Sequence, residues 1–165
     1  MADETKQKEQ EDLKQGQKVF QTICSMLDKD DWKYDKDENK LEIKCSARGD
    51  DLPIRLRIRV LPDRKVVNFY SPIFNTPEDK RSEMAVAVCV ANYALIIGCF
   101  DFDIRDGEVS YRLTAAYRDS ILSETVFHDL LYTTCLTVDD YNDKLFALSQ
   151  NMMSLTDFVN FVHNK

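Results

Sequence analysis

Glycine is scarce. The 165 residues contain four, at Gly16, Gly49, Gly98 and Gly107. No two stand close enough to form a loop whose backbone amides cradle phosphate, which excludes the dinucleotide-binding and nucleoside-triphosphate motifs. Paired cysteines are lacking too. Cys24, Cys45, Cys89, Cys99 and Cys135 are scattered, and none forms a Cys-x-x-Cys pair, so zinc-ribbon and thioredoxin-type sites are excluded. An odd set of thiols within apolar patterns fits a reducing compartment, and a cytoplasmic location is expected. No apolar run approaches the roughly 20 residues of a membrane helix, so no membrane association is expected. The first ten residues, Met1-Ala-Asp-Glu-Thr-Lys-Gln-Lys-Glu-Gln, are charged with no apolar stretch behind them, and no secretory signal is expected. A basic excess is missing as well: Lys and Arg total 22 against 29 Asp and Glu, for a net charge of −7. Nucleic acid is therefore not an expected partner, although a local basic patch can override the total.

Catalytic and metal motifs are also absent. Asp28-Lys-Asp and Asp35-Lys-Asp-Glu-Asn offer alternating oxygens, as a calcium loop does. Such a loop needs Gly at its sixth place and Glu at its twelfth. Counted from Asp28 these places hold Lys33 and Asn39, and counted from Asp35 they hold Lys40 and Ser46. His128 and Cys135 share a helix face but stand two turns apart, about 10 Å, too far for one metal ion. No Gly-x-Ser-x-Gly or Ser-x-x-Lys pattern marks a nucleophile. The expectation is a chain with no catalytic residue, no metal and no cofactor. Only a Cys or carboxylate brought by folding to His128 in a cleft would reopen an enzymatic reading.

What is present suits one globular domain, with 44% hydrophobic and 31% charged residues. Residues 1–8 read as a flexible tail and 9–165 as a single domain. From Glu9 to about Lys29, Leu13, Phe20, Ile23, Cys24 and Leu27 fall close to one helical face. The charged run from Asp28 to Lys40 reads as a polar connector interrupted by Trp32 and Tyr34. Three strands follow. Leu41-Glu-Ile-Lys-Cys alternates, Ile54-Arg-Leu-Arg-Ile-Arg-Val60 alternates strictly, and Arg64–Ser71 is the third, with Pro62-Asp63 as the turn between the last two. Thr76-Pro-Glu-Asp predicts a capped helix start, and the helix is expected to run to Gly98. Its second half is apolar nearly all round, which predicts burial on more than one side. Two alternating runs then flank Asp106-Gly107, the favoured pair of a two-residue type I′ hairpin. Ser123 can cap a helix, Val138, Tyr141, Leu145, Leu148 and Met152 form one apolar seam, and Ser154-Leu-Thr-Asp opens a last helix. The fold class is α+β: a five-stranded, mainly antiparallel sheet with helices segregated to one face, in the order α-β-β-β-α-β-β-α-α.

That order, with Thr76-Pro-Glu-Asp, Val90-Ala-Asn-Tyr-Ala-Leu-Ile-Ile-Gly-Cys-Phe-Asp-Phe-Asp and Asp106-Gly-Glu-Val-Ser-Tyr-Arg112, resembles the YbjN-domain family. These are bacterial proteins grouped as candidate sensory transduction regulators, with a fold similar to that of class I type III secretion chaperones. Where such families carry Asn-x-x-Asn in the central helix, this chain has Cys89 and Asn92. The likeness runs from about Val19 to Leu148. It implies a small dimerising, binding or chaperone-like module.

The residues add a candidate surface. Period two puts Arg55, Arg57 and Arg59 on one strand face. Guanidinium groups bind carboxylates bidentately, so this row can hold an acidic protein or peptide partner, or it can be a solvated face neutralised by Glu42. Phe69 and Tyr70 are expected as apolar anchors beside it. Asp101 and Asp103 can act as an acid–base pair or form a wet strand face with Arg112 across the hairpin. Asn92, in an apolar helix, can fix an interface or bond to a neighbouring backbone. The expected function is a non-catalytic protein-binding regulator or chaperone-like adaptor that forms a homodimer. The alternative is a small-molecule sensor with a pocket between the central helix and the sheet, lined by Asn92 or Tyr93.

Overall fold

The computed structural model describes residues 2–118 and 122–164. Helix α1 (Ala2–Lys29) leads into β1 (Tyr34–Asp37), β2 (Glu42–Ala47), β3 (Ile54–Leu61) and β4 (Val66–Asn75). A turn of 3₁₀ helix (Glu78–Lys80) opens α2 (Arg81–Ala94), and β5 (Cys99–Phe102), β6 (Glu108–Ala116), α3 (Glu124–Ser149) and α4 (Leu155–His163) complete the order. All strands join one open antiparallel sheet, arranged β1-β2-β3-β4-β6-β5.

The α+β class and the antiparallel sheet agree with the sequence reading, but the strands number six rather than five. The additional strand is β1, hidden in the charged connector. The Trp32 N–H donates to the Leu27 carbonyl at 2.9 Å, ending α1, and Asp31 turns the chain at φ 55°. Tyr34 packs against the core, and the Asp37 carboxylate accepts from the Asn39 and Lys40 N–H groups to close the turn to β2. A four-residue edge strand that buries none of its side chains fully shows no apolar alternation, so its sequence looks like a loop.

Burial on β3 alternates without exception. Ile54, Leu56, Ile58 and Val60 are buried, and the three arginines between them are exposed. The dry face continues through Ile43 on β2, Val67 and Phe69 on β4, Tyr111 and Leu113 on β6, and Phe100 on β5. Helix α3 covers it, packing on β3, β4 and β6, while α1 lies against β3 and α3, and α2 against β5 and α4. On α3 the buried positions Phe127, Leu131, Thr134, Val138, Tyr141, Leu145 and Leu148 alternate four and three apart, the spacing of one continuous helix face. Ser123 and Ser154 accept the N–H of Val126 and Asp157, capping α3 and α4. Fully buried rings at Phe20, Phe69, Phe100, Phe127 and Phe158 anchor this core, each worth about 1.5–3 kcal/mol relative to exposure.

Several local expectations are corrected. Residues 2–8 are helical, not a tail. Glu4 and Lys8 stand at the favourable i, i+4 spacing, and the segment is rich in good helix formers. Thr76 caps nothing. Its N–H donates to the Gly107 carbonyl at 2.7 Å, which keeps it extended, so α2 begins later, at Arg81. Helix α2 also stops at Ala94, because Leu95 is extended at φ −87°, ψ 135°. The Asp106-Gly107 pair does not form a two-residue turn. The loop runs from Asp103 to Gly107, closed by Gly107 N–H to Asp103 carbonyl at 2.7 Å, and only Gly107 of that pair has positive φ. The Asp103 and Asp106 carboxylates accept the N–H groups of Arg105 and Glu108, which stabilises the longer loop.

Candidate functional site

The sheet face opposite the helices carries the expected arginines. Strand pairing aligns Lys44, Arg57, Tyr70, Arg112 and Cys99 in one row across five strands. The next row holds Glu42, Arg59, Asn68 and Thr114. Arg57 lays its guanidinium 5.8 Å from the Tyr70 ring centroid, a cation–π contact. The Tyr70 hydroxyl donates to Glu108 at 2.8 Å, and burial raises its pKa. Arg112 grips Asp101 bidentately, at 2.6 and 3.0 Å, which holds the guanidinium charged. Asp101 therefore serves the cross-strand pair, and Asp103 clamps Arg105.

The charge on this face is segregated. Asp35 and Asp37 on β1 and Asp101 on β5 lie at the two edges, while the arginines of β3 fill the centre. Glu42 reaches only 4.0 Å from Arg57. Arg55 and Arg59 make no ion pair among the described residues. Phe69 does not belong to this surface. Alternation turns it to the helix-covered side, where it is fully buried, so the expectation of Phe69 as a contact anchor is corrected.

The second exposed feature is on α2. Met84, Ala87, Val88 and Ala91 form its buried side. On the opposite side Val86, Cys89, Val90 and Tyr93 share a face, and Ile96 and Ile97 follow in the turn after the helix. Tyr93 is 89% exposed and Ile96 98%. The expected burial on more than one side thus does not occur within a single chain. Asn92 bonds to Phe100 of β5, and Tyr93 faces solvent, so neither lines a pocket between α2 and the sheet.

A cavity was missed in the sequence. The register of β3 and β4 runs from Leu61↔Val66 to Arg57↔Tyr70 and continues no further. Pro72, which would face Arg55, brings no N–H, and the strand bulges between Pro72 and Phe74. Where the strands part, a cavity of about 150 Å³ opens between them and α3. Ile73, Phe74 and Phe146 wall it, the two rings meeting edge to face at 5.6 Å. Arg55 lines its open side, and Ser71 and Asn142 its buried side. Among the described residues, the Ser71 hydroxyl and both amide atoms of Asn142 have no hydrogen-bond partner. Two signals stood in the sequence: a proline just beyond a strand, and an amide inside the apolar seam of α3.

His128 Nε2 stands 3.7 Å from the Asp30 carboxylate, beyond hydrogen-bond reach, with its ring stacked on Tyr132 at 4.2 Å. Among the described residues no three His, Cys, Asp or Glu side chains gather to hold a metal ion, and no helix is long and apolar enough to cross a membrane.

A helix-backed open antiparallel sheet of this connectivity is a YbjN-like fold. The crystal structure of YbjN, a candidate transcription regulator from E. coli, superposes with a TM-score of 0.59 at 8% identity, covering 80% of this chain and 92% of that one. A chain of the ExsC–ExsE complex superposes with a TM-score of 0.56 at 13% identity, covering 78% and 93%. No family model matches the sequence, and no curated protein matches it. At these identities the likeness is one of fold.

Proposed function

We propose that this chain is a non-catalytic protein-binding module, a regulator or chaperone-like adaptor that acts in the cytoplasm as a homodimer. The bare apolar side of α2 carries the reading. Val86, Tyr93, Ile96 and Ile97, close in sequence on and just after α2, are all exposed, a cluster of large apolar side chains of the kind that marks an interaction surface. A second copy is the fitting occupant. From Cys89 to Ile97 there is no charged residue, so two such stripes meeting about a two-fold axis bury no unpaired charge.

Dimerisation through α2 leaves the arginine face free. Its cationic centre and acidic edges suit an extended acidic segment lying along β3, with carboxylates on Arg55, Arg57 and Arg59 and an apolar contact on Tyr70. The fold's likeness to a chain from a two-protein complex supports a protein partner. The test is light scattering on the wild type and on the double variant Tyr93→Glu/Ile96→Glu. A two-chain mass that falls to one chain in the variant, with unchanged circular dichroism, is expected. A one-chain wild type at micromolar concentration would refute the homodimer. For the partner, Arg55→Gln/Arg57→Gln/Arg59→Gln is expected to keep the fold and lose capture of the bound protein. Undiminished capture would remove the arginine row from the interface.

A further inference from the structure

We propose that the gap between β3, β4 and α3 is a binding site for a short organic acid that carries a carboxamide. The local sequence holds the gap open. Pro72 ends the β3–β4 ladder, and the bulge after it turns Phe74 to the helix side, against Phe146. The cavity, about 150 Å³, is of the size that accepts one benzene-sized molecule in a protein interior. Walls of Ile73, Phe74 and Phe146 suit two or three methylene groups.

The polar groups specify the two ends. Asn142 is 1% exposed and Ser71 is fully buried, and both line the cavity without hydrogen-bond partners. A leucine of similar size at 142 would match the apolar seam around it and carry no desolvation penalty, so the amide is not there for packing. An amide offers a donor and an acceptor side by side. A second amide meets both at once, and the Ser71 hydroxyl can give or take a further bond. Among the described residues that line it, no cation accompanies Ser71 and Asn142 at this buried end, so a carboxylate there would be desolvated without compensation. Among the described residues, Arg55 is the one charged residue in the walls; it is exposed and makes no ion pair there. The acid end of the ligand therefore sits on Arg55 and the neutral amide on Asn142.

Succinamate, with a carboxylate and a carboxamide two methylenes apart, is the probe. Titration of the full chain, followed by amide chemical shifts, is expected to give saturable changes near Ser71–Phe74 and Asn142. Succinate lacks the amide and butyramide lacks the acid, and each is expected to bind roughly tenfold more weakly, the usual effect of one lost charged or paired hydrogen bond. Asn142→Leu is expected to melt at a higher temperature than the wild type and to bind succinamate at least tenfold more weakly. That opposition separates a ligand site from a packing defect. Arg55→Gln and Ser71→Ala, which disturb the core little, are each expected to weaken binding with little change in melting. Absence of saturable shifts in the wild type at millimolar succinamate would overturn the proposal. So would equal affinity in Asn142→Leu or, should that variant not fold, in both Arg55→Gln and Ser71→Ala.

Discussion

Asn92 holds Phe100 by both halves of its amide: Nδ2 donates to the Phe100 carbonyl at 2.9 Å, and Oδ1 accepts its N–H at 2.7 Å. Strand β5 is the last strand of the sheet. Asn92 thus takes the place of a further strand at one position of an open edge and ties α2 to the sheet. Asn92→Leu keeps the volume and removes both bonds. A loss of about 1–3 kcal/mol is expected, the penalty for leaving half-buried backbone groups unmade. The urea midpoint should fall at unchanged slope, and hydrogen exchange at the Phe100 amide should accelerate. An unaltered midpoint would mean that water replaces the amide at no cost.

Gly98 makes the adjoining turn possible. Its φ is +74°, and a Cβ there would collide with the buried Tyr111 hydroxyl, which donates to the Ile97 carbonyl at 2.8 Å. Gly98→Ala is expected to cost roughly 2–4 kcal/mol, from strain of about 1 and overpacking of about 1–3 kcal/mol. Thermal unfolding of Gly98→Ala with and without Tyr111→Phe measures the part of the loss that the hydroxyl carries. Its removal should restore a fraction, because the nearest colliding atom goes while the ring contact and the φ strain stay. No restoration would assign the effect to the ring and the backbone together.

The legible parts of the sequence were those with a repeated pattern. Strict alternation in Ile54–Val60 gave the two faces of β3, and the three-and-four spacing from Val138 gave the second half of α3 as far as Leu148, although Met152, expected to continue it, lies beyond the helix and is exposed. The illegible parts depended on contacts distant in sequence. Strand β1 has one aromatic facing the core and otherwise charged residues, so only its pairing with Glu42–Cys45 makes it a strand. Thr76 looks like a helix cap until Gly107 claims its N–H. For the surface, periodicity put Arg55, Arg57 and Arg59 on one side and set Phe69 and Tyr70 on opposite sides, but only the β3–β4 register places Tyr70, and not Phe69, with the arginines. The cavity required knowing that Pro72 lies where the β3–β4 ladder stops, which no local pattern encodes.

Two half-buried thiols are expected to make the fold sensitive to alkali. Burial pushes the Cys45 thiol up to about 12, with Cys135 beside it adding to the rise. Burial, then Asp139, pushes Cys135 up to about 11. Both start from 9.0 in the unfolded chain. Between these values the folded state retains protons that the unfolded state releases, so stability is complete below about pH 9 and declines as pH rises through 11 to 12. Burial raises Tyr111 and Tyr141 in the same direction. Urea midpoints should therefore fall above pH 9, and less steeply in Cys45→Ala/Cys135→Ala. At pH 8 the same protonation protects both half-buried thiols, so alkylation of Cys45 and Cys135 should be much slower in the folded chain than on unfolding. Cys89 is exposed on the bare side of α2 and should be alkylated in the native protein. If two copies meet through that side, its alkylation should slow as protein concentration rises. A rate for Cys89 independent of concentration, in the range where light scattering reports two chains, would move the dimer contact elsewhere.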